Sequence, residues 1–354
     1  MDFANQLVKW YRVHKRDLPW RQTTDPYVVW LSEIILQQTR VDQGLPYFQR
    51  FIEKYPTVKN MAAAPLEEVM RLWQGLGYYS RARNLFATAQ MVTNQHQGRF
   101  PDTYEGLKSL PGIGPYTAAA IASFCFGLPH AVVDGNVIRV LSRLYGIEDP
   151  VNEPSTRKQM DALANDLLNR RDPATHNQAI MEFGALHCKP ANPDCIRCPF
   201  AEHCVAFRTG KVKSIPIKSS KVKVRDRYFN YLVVRFQDSI LLRKRIESGI
   251  WQELHEPPME ETTKLMTEKE LRKSKLWKRF ITNTAETKIT FVEPKPHKLT
   301  HQTIYSRFFI ATGLTPARIS DADWLVVRTK DLQHYAVPRM IELVFEELFD
   351  GYGQ

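Results

Sequence analysis

The sequence predicts a multidomain protein in which an all-α domain precedes a smaller α+β domain. Residues 1–205 hold short helix-like apolar patterns separated by turn signals such as "TTDPY", "GLGYYS" and "PGIGP". From residue 228 the pattern becomes β-rich, and "YFNYLVVRFQDSILLRKR" holds two such runs about a polar turn. A basic stretch separates the two patterns. We therefore predict domains at 1–210 and 228–354, joined by a linker at 211–227.

Charge and apolar runs restrict the class of protein. The 354 residues carry a formal net charge of +11, and seven basic residues against one acidic residue lie in 211–227. Such an excess favours a polyanionic partner, most often nucleic acid, although an ordinary basic protein is an equal alternative on charge alone. The sequence lacks a run of about 18 apolar residues and a secretory signal pattern, so we expect a cytoplasmic protein with no membrane partner.

Four of the five cysteines lie close together in "CKPANPDCIRCPFAEHC". Cys188, Cys195, Cys198 and Cys204 have the spacing C-x6-C-x2-C-x5-C, which allows four thiolates to converge on one centre. Zinc and a 4Fe–4S cluster both accept four thiolates. Zinc usually takes two C-x2-C pairs, and only one is present, so the spacing favours iron–sulfur.

Two further segments carry candidate functional groups. In "LPGIGPYTAAA", Gly112 and Gly114 permit a tight turn before a helix, and the backbone N–H groups of such a turn can bind a phosphate. A purely structural turn is equally compatible with this segment taken alone. In "VVDGNVIRVLSRL", Asp134 precedes a Gly-Asn turn and a helix, where it is either an N-cap or a functional carboxylate.

In this order, the hairpin, the Gly/Pro turn, Asp134 and the cysteine loop resemble the helix–hairpin–helix superfamily of DNA glycosylases. The resemblance implies a two-lobed helical fold with DNA across the cleft and a 4Fe–4S cluster on loop 188–204. In the endonuclease III branch, a lysine in the hairpin forms a Schiff base with the sugar and cleaves the strand. Here the matching position is Tyr116, and a phenol cannot form that adduct, so a monofunctional glycosylase is expected.

The N-terminal domain is similar, more specifically, to adenine DNA glycosylases of the MutY type. The similarity lies in "LPWRQTTDPYVVWLSEIILQQTRV", "WQGLGYYSRARNL", "LPGIGPYTAAAIASF", "VDGNVIRVLSRL" and "NQAIMEFGALHC". It implies base excision repair of adenine mispaired with 8-oxoguanine, and with guanine. It also implies that residues 228–354 form a Nudix-like, MutT-like domain that recognises 8-oxoguanine.

The resemblance assigns the chemistry to two carboxylates. Glu33 lies between Leu31 and Ile34 in an apolar helix, where desolvation should raise its pKa and let it protonate adenine. Asp134 should stay ionised and stabilise the oxocarbenium sugar or attack it transiently. Without the resemblance, a carboxylate on a helix surface is the simpler interpretation of Glu33.

Other roles are also implied by the resemblance. Tyr116 would face Asp134, and Asn136 would bond to the catalytic water or carboxylate. Gly112 and Gly114 would hold a DNA phosphate. The adenine pocket would be lined by Arg21, Trp30, Leu36 and Gln178, and the duplex around 8-oxoguanine would be entered by Gln38 and Tyr78.

The C-terminal domain departs from two patterns. "GIWQELHEPPMEETTKLM" lacks the R-E-x2-E-E element with which Nudix hydrolases hold magnesium, so nucleotide hydrolysis is not expected. The family's Phe-Ser-His or Phe-Thr-His loop reads Leu299-Thr300-His301 here. Thr300 and His301 keep polar groups for 8-oxoguanine, whereas the aromatic is replaced.

Two alternatives accompany the main hypothesis. A thymine mismatch glycosylase shares the hairpin, the Asp and the cysteine loop, but Glu33 and the C-terminal domain argue against it. A non-catalytic iron–sulfur DNA-binding protein would not need both Glu33 and Asp134. We expect a monomer that binds double-stranded DNA with A:8-oxoguanine or A:G mispairs, associates with the nucleoid through that DNA, and has room for repair or replication partners on its basic linker.

Overall fold

The computed structural model describes residues 2–219, 224–281, 287–312, 323–349 and 352. The described chain divides into two compact units. The first contains Met1–Ala63 and Asn84–Ser220, and the second contains Ala64–Arg83 and Lys221–Gln354. Part of the predicted linker, 220–223, lies outside the described residues.

The N-terminal half of the chain is helical, as the turn-rich sequence predicted. Short 3-10 helices lie at Pro19–Arg21 and Ala201–His203. The α-helices are α1 (Phe3–His14), α2 (Pro26–Ile35), α3 (Val41–Lys54), α4 (Val58–Ala63), α5 (Leu66–Trp73), α6 (Ser80–Gln95), α7 (Tyr104–Lys108), α8 (Pro115–Phe126), α9 (Gly135–Tyr145), α10 (Pro154–Leu167), α11 (Pro173–Leu186) and α12 (Val205–Arg208).

Helix α8 lies at the centre of the first unit because its residues are small. Five consecutive residues, Ala118–Ala122, are buried, so neighbouring helices can approach its backbone closely. Helices α2, α7 and α11 all pack against it. Larger side chains from α1, α9 and α11, such as Leu7, Leu141 and Phe183, fill the core around it. Each such side chain stabilises the unit by about 1.5–3 kcal/mol. This packing fixes the ends of α2, α8, α9 and α11 relative to one another.

The second unit is α+β, as predicted. The predicted hairpin is present, with Phe236 opposite Ser239 across the turn. Its elements are β1 (Arg225–Phe236), β2 (Ser239–Lys244), β3 (His255–Glu256), β4 (Met259–Thr262), α13 (Glu268–Lys273), α14 (Lys275–Phe280), β5 (Lys288–Val292), β6 (His297–Lys298), β7 (Gln302–Thr312), β8 (Trp324–Arg328), a 3-10 helix (Thr329–His334) and α15 (Arg339–Leu348).

One long parallel pair forms the middle of this sheet. Strands β1 and β7 align from Arg225 opposite Gln302 to Val234 opposite Ala311. The strand order is β3–β2–β1–β7–β5, with β4 on β1, β6 on β7 and β8 on β2. One face carries Leu232, Val234 and Phe309 against Trp277 of α14. The central strands contain runs of consecutive buried residues, six in β1 and four in β7, so both faces of the sheet are covered there.

The segment Ala64–Arg83 belongs by its contacts to the second unit, although the sequence division placed it inside 1–210. The amide of Gln74 donates to Glu342 Oε1 at 2.5 Å, and its carbonyl accepts from the Val337 N–H at 3.2 Å. The compact units therefore differ from the predicted domain division in this segment, which contains α5.

A membrane-spanning helix is absent from the described ranges, because none of their helices combines the necessary length with sufficient apolar character.

Candidate active site

A cleft of about 1690 Å³ opens within the first unit and brings most of the predicted site together. Helices α2, α8, α9 and α11 contribute side chains to its wall. The predicted residues that line it are Arg21, Glu33, Leu36, Gln38, Gly112, Gly114, Tyr116, Asp134, Asn136 and Gln178.

Glu33 extends from the last turn of α2 into this cleft while remaining 7% exposed. Burial raises the pKa of its carboxyl to about 7, and the nearby charge of Asp134 adds to that rise. Tyr116 and Arg21 act in the opposite direction, by a hydrogen bond and by charge. The predicted elevation of the pKa is therefore confirmed. Near neutral pH, the carboxyl is present in both protonation states and can donate a proton.

Tyr116 is held on Glu33. It lies in the first turn of α8, and its hydroxyl donates to Glu33 Oε2 at 2.7 Å. The sequence prediction had it facing Asp134, whose charge is close enough to contribute to the elevated pKa of the phenol, after burial and the charge of Glu33. The phenol is thus a fixed donor that orients the Glu33 carboxyl.

Asp134 is the N-cap of α9 as well as a wall of the cleft. Its Oδ1 accepts from the N–H groups of Asn136 and Val137 at 2.9 and 2.8 Å, and its Oδ2 accepts from the Asn136 amide at 2.7 Å. Burial raises the pKa of Asp134 above its ordinary value, and these hydrogen bonds oppose that rise without cancelling it. All three donors point at the oxygens and stabilise the carboxylate form. The alternatives left open by the sequence, N-cap or functional carboxylate, are compatible in one residue.

A second buried carboxylate on the cleft, Glu182, was missed by the sequence analysis. It is 1% exposed and accepts five hydrogen bonds from Arg16 and Arg21, at 2.6 to 3.0 Å. Burial alone would raise the pKa of Glu182, but these hydrogen bonds outweigh it and lower the pKa to about 2. The signal for it was available, because it is the single carboxylate of the apolar helix "NQAIMEFGAL".

Gln178 is oriented by another missed residue. The Tyr11 hydroxyl donates to Gln178 Oε1 at 2.7 Å, and the Arg21 guanidinium lies 5.9 Å from the Tyr11 ring centroid. With its oxygen occupied, the amide nitrogen of Gln178 remains the group that the side chain can offer as a donor.

Of three residues predicted to lie at the site, Leu36 and Gln38 line the cleft and Trp30 does not. Trp30 does not line the cleft, contrary to the prediction, because its indole is fully buried between Tyr27 and Phe100 on the inward side of α2. Leu36 caps the end of α2 and lines the cleft. Gln38 also lines it and has a φ of 56°, a left-handed conformation that is strained for this residue type and directs the chain sharply after α2.

The hairpin between α7 and α8 has the conformation expected for a helix–hairpin–helix turn. Gly112 has a φ of +72°, and a Cβ there would lie 2.6 Å from Asn84 Cβ, so this position requires glycine. Gly114 is the N-cap of α8, and a Cβ there would meet open space. Gly114 and Tyr116 line the cleft, so the N-terminal end of α8 borders it.

The remaining predicted contacts lie in the second unit. Tyr78 is 50% exposed, has a φ of 47°, and its hydroxyl lies 3.0 Å from Thr300 Oγ1. Thr300 and His301 form an exposed turn between β6 and β7. Tyr78 and Thr300 are thus adjacent although they are 222 positions apart. The sequence analysis assigned both to contacts with 8-oxoguanine.

The four clustered cysteines lie on one half-buried loop after α11. Burial raises the pKa of Cys198 to about 12, and the charges of Cys188, Cys204 and Cys195 add to the rise. The sulfurs therefore lie within electrostatic range, and four soft thiolates are a donor set that iron–sulfur and zinc centres accept. As arranged, the cysteines, histidines and acids of the described residues do not form a group of three that could hold a metal ion.

Comparison with known proteins is consistent with both units. Residues 31–169 match the HhH-GPD superfamily of base excision DNA repair proteins, and residues 230–347 match the NUDIX domain. Adenine DNA glycosylase of Buchnera aphidicola subsp. Acyrthosiphon pisum is 33% identical over 349 residues, which is 97% of each chain. Adenine DNA glycosylase of Homo sapiens is 44% identical over 213 residues, which is 58% of this chain and 39% of that one.

Two solved structures are similar to the helical part. A thermostable thymine-DNA glycosylase is 30% identical with a TM-score of 0.55, covering 58% of this chain and 95% of that one. Endonuclease III in a non-covalent DNA complex is 23% identical with a TM-score of 0.52, covering 59% of this chain and 94% of that one, and it shows the fold alone.

Proposed function

Because this chain belongs to the adenine DNA glycosylases, enzymes of base excision repair that act on DNA, we propose that it removes adenine mispaired with 8-oxoguanine, and with guanine. The observation that carries the proposal is the pair formed by Glu33 and Asp134. The two carboxyls line one cleft, and their different surroundings suit them to opposite tasks.

Glu33 supplies the proton. Adenine is a poor leaving group as an anion, and protonation at N7 lets it depart neutral. A carboxyl whose pKa is about 7 donates readily near neutral pH and is regenerated from water. The hydrogen bond from Tyr116 holds the carboxyl in one orientation during this step.

Asp134 stabilises the positive charge that develops on the sugar as the glycosidic bond breaks, or bonds to C1′ transiently. The donors from Asn136 and Val137 fix its oxygens, so little reorganisation accompanies the charge development. Water then completes hydrolysis. This chain has Tyr116 at the position where the endonuclease III branch has its lyase lysine. The sugar–phosphate strand therefore stays intact.

Binding of the flipped adenine uses the opposite wall. Gln178 offers its amide nitrogen, and the guanidinium of Arg21 is locked onto Glu182. Leu36 adds an apolar surface for the base. The exposed pair Tyr78 and Thr300, together with His301, would contact 8-oxoguanine on the second unit.

We further propose that Cys188, Cys195, Cys198 and Cys204 hold a 4Fe–4S cluster. Four thiolates would ligate the cluster, and those bonds would cross-link the cysteine loop after α11. Arg143 lies against this loop, donating to the backbone carbonyls of Lys189 and Pro190 and contacting Cys188 Sγ at 3.5 Å. The enzyme acts as a monomer in the cytoplasm.

The test is base release from duplexes with A:8-oxoguanine, A:G and T:G pairs. We expect free adenine from the first two, with strand breakage only after alkali or heat. Glu33→Gln should slow release by about 10³-fold, whereas Glu53→Gln, a change at an exposed glutamate of α3, should not. Release of thymine but not adenine would favour the thymine mismatch alternative, and duplex binding with no release would favour a non-catalytic protein.

A further inference from the structure

A second pocket in the first unit has a strongly positive wall. Its volume is about 750 Å³, and its cationic side chains are Arg139, Arg143, Arg157, Lys213 and Lys218. Of the described residues that line it, none is Asp or Glu. We call it the basic pocket. A wall with several cations and no carboxylate attracts anions more strongly than a surface of mixed charge.

The wall of the basic pocket is held in place by hydrogen bonds, because the segment that carries its lysines is attached to the helical unit. The Ile215 carbonyl accepts from Arg143 Nε at 3.0 Å, and the Ile217 carbonyl accepts from the Val151 N–H at 2.9 Å. Ser219 and Asn152 exchange two hydrogen bonds, at 2.6 and 2.8 Å. The first half of the predicted linker, up to residue 219, is therefore a fixed wall of the pocket.

The floor and the rim of the basic pocket have different roles. Arg139 and Arg143 are buried, and their guanidinium groups donate to backbone carbonyls such as those of Gly184 and Lys189. Their hydrogen-bond donors are thereby largely occupied by the protein itself. Lys213, Lys218 and Arg157 are exposed and remain accessible to a ligand.

The basic pocket adjoins the catalytic cleft. Gly135, Arg157 and Pro190 line both, and Gly135 directly follows Asp134. An anion in the basic pocket that belongs to the substrate would therefore lie a short distance along the strand from the base in the cleft.

We propose that the basic pocket binds a backbone phosphate of the DNA strand, flanking the nucleotide that enters the catalytic cleft. The proposal rests on the function proposed above and extends it to the beginning of the linker. Lys213, Lys218 and Arg157 contact the phosphate oxygens, and Arg139 and Arg143 supply the field beneath them. Contacts of this kind position the duplex without reading its sequence.

The first experiment measures the dissociation constant for mispaired and fully paired duplexes as a function of salt, using the full chain. Each phosphate contact contributes about 0.9 to the slope of log K against log salt. The variant Arg157→Gln/Lys213→Gln/Lys218→Gln should reduce the slope by one unit or more on both duplexes. Lys158→Gln and Lys211→Gln, neighbouring lysines outside both cavities, should keep the wild-type slope.

The second experiment locates the phosphate. A neutral methylphosphonate is placed at successive positions around the mispair. One or two positions should weaken binding by the wild-type protein but not by the triple variant. Should the triple variant fold poorly in a thermal melt, the single variant Lys213→Gln, a change at an exposed side chain, repeats both measurements.

An unchanged slope in the triple variant, or an equal loss in the two control variants, would overturn the proposal. So would stabilisation by inorganic phosphate that the variant abolishes, if the DNA slope stays unchanged, since the pocket would then bind a free anion. Because binding does not require base release, failure here is distinct from failure of the proposed glycosylase activity.

Discussion

The two walls of the catalytic cleft use the same side chain in opposite ways. On the α2–α8 wall, Glu33 receives one hydrogen bond, from Tyr116, and its pKa is about 7. On the α11 wall, Glu182 receives five from Arg16 and Arg21, and its pKa is about 2. Burial acts on both carboxyls in the same direction. The number of cationic donors therefore separates the two pKa values, which supports the proton-donor role proposed for Glu33 and a structural role for Glu182.

The largest expected effect is on the Glu33 side of this comparison. Glu33→Gln removes the proton donor but keeps the volume and the acceptor for Tyr116. General acid catalysis contributes about 10²–10⁴-fold, so single-turnover adenine release should fall by about 10³-fold. Glu182→Gln keeps the proton donor, and its rate loss should be smaller. An equal loss in both variants would remove the distinction between the two walls.

The Glu182 side should appear in stability. Its carboxylate has a lowered pKa in the folded state, so it contributes stability above the unfolded pKa of about 4.5 and loses it as the pH falls towards 2. Because Arg16 is one-third exposed, we expect Glu182→Gln to lower the free energy of unfolding at pH 7 by about 3 kcal/mol, at the lower end for a broken buried pair. Denaturant unfolding at pH 7 and at pH 3 tests this, and the variants should converge at low pH.

Replacing Glu33 by Gln should change the pH dependence of the free energy of unfolding in the opposite direction. Its folded pKa is raised, so its contribution to stability is fully present below pH 4.5 and is lost as the pH rises through 7. Relative to wild type, Glu33→Gln should therefore gain about 3 kcal/mol between pH 4.5 and pH 8. Parallel curves for the wild-type protein and Glu33→Gln would contradict the raised pKa.

A smaller effect is expected from Tyr116. Its hydrogen bond favours the ionised form of Glu33, so Tyr116→Phe should raise the pKa of that carboxyl further. The rate of base release in wild type should decline above pH 7, and the decline should move to higher pH in the variant. A profile that keeps its midpoint while its height drops would indicate that Tyr116 acts on the substrate instead.

The smallest effect lies outside the cleft, at the exposed hydroxyl pair of the second unit. Tyr78→Phe and Thr300→Val each remove one partner of a solvent-accessible hydrogen bond. Such a bond contributes about 0.5–1.5 kcal/mol, so the preference for A:8-oxoguanine over A:G should fall a few-fold. Ser109→Ala, a change at an exposed serine between α7 and α8, is a control that should leave the preference unchanged.

Local sequence patterns predicted much of the α2–α8 wall of the cleft but little of the α11 wall. The raised pKa of Glu33 could be predicted because its apolar neighbours, Leu31 and Ile34, indicate that it is buried. The ion pairs of Glu182 join residues more than 160 positions apart, and no local pattern links Arg16 or Arg21 to it. The prediction that Trp30 lines the adenine pocket was wrong, since a large indole in an apolar helix fits a protein core as well as a pocket.

The fold shows the same limit. Helices and the β1–β2 hairpin follow from periodicity and turn residues. The association of Ala64–Arg83 with the second unit depends on Gln74 pairing with Glu342, 268 residues away. The dual use of Asp134 could not be separated in sequence, because a helix cap and a functional carboxylate call for the same residue type.

The most direct test of the opposite roles of the two glutamates is an infrared titration of carboxyl groups in the wild-type protein, Glu33→Gln and Glu182→Gln. We expect a protonated carboxyl band at pH 6 that disappears with a midpoint near pH 7 and is missing only in Glu33→Gln. A band that is absent at pH 6, or that persists in Glu33→Gln, would contradict the assignment of Glu33 as the proton donor.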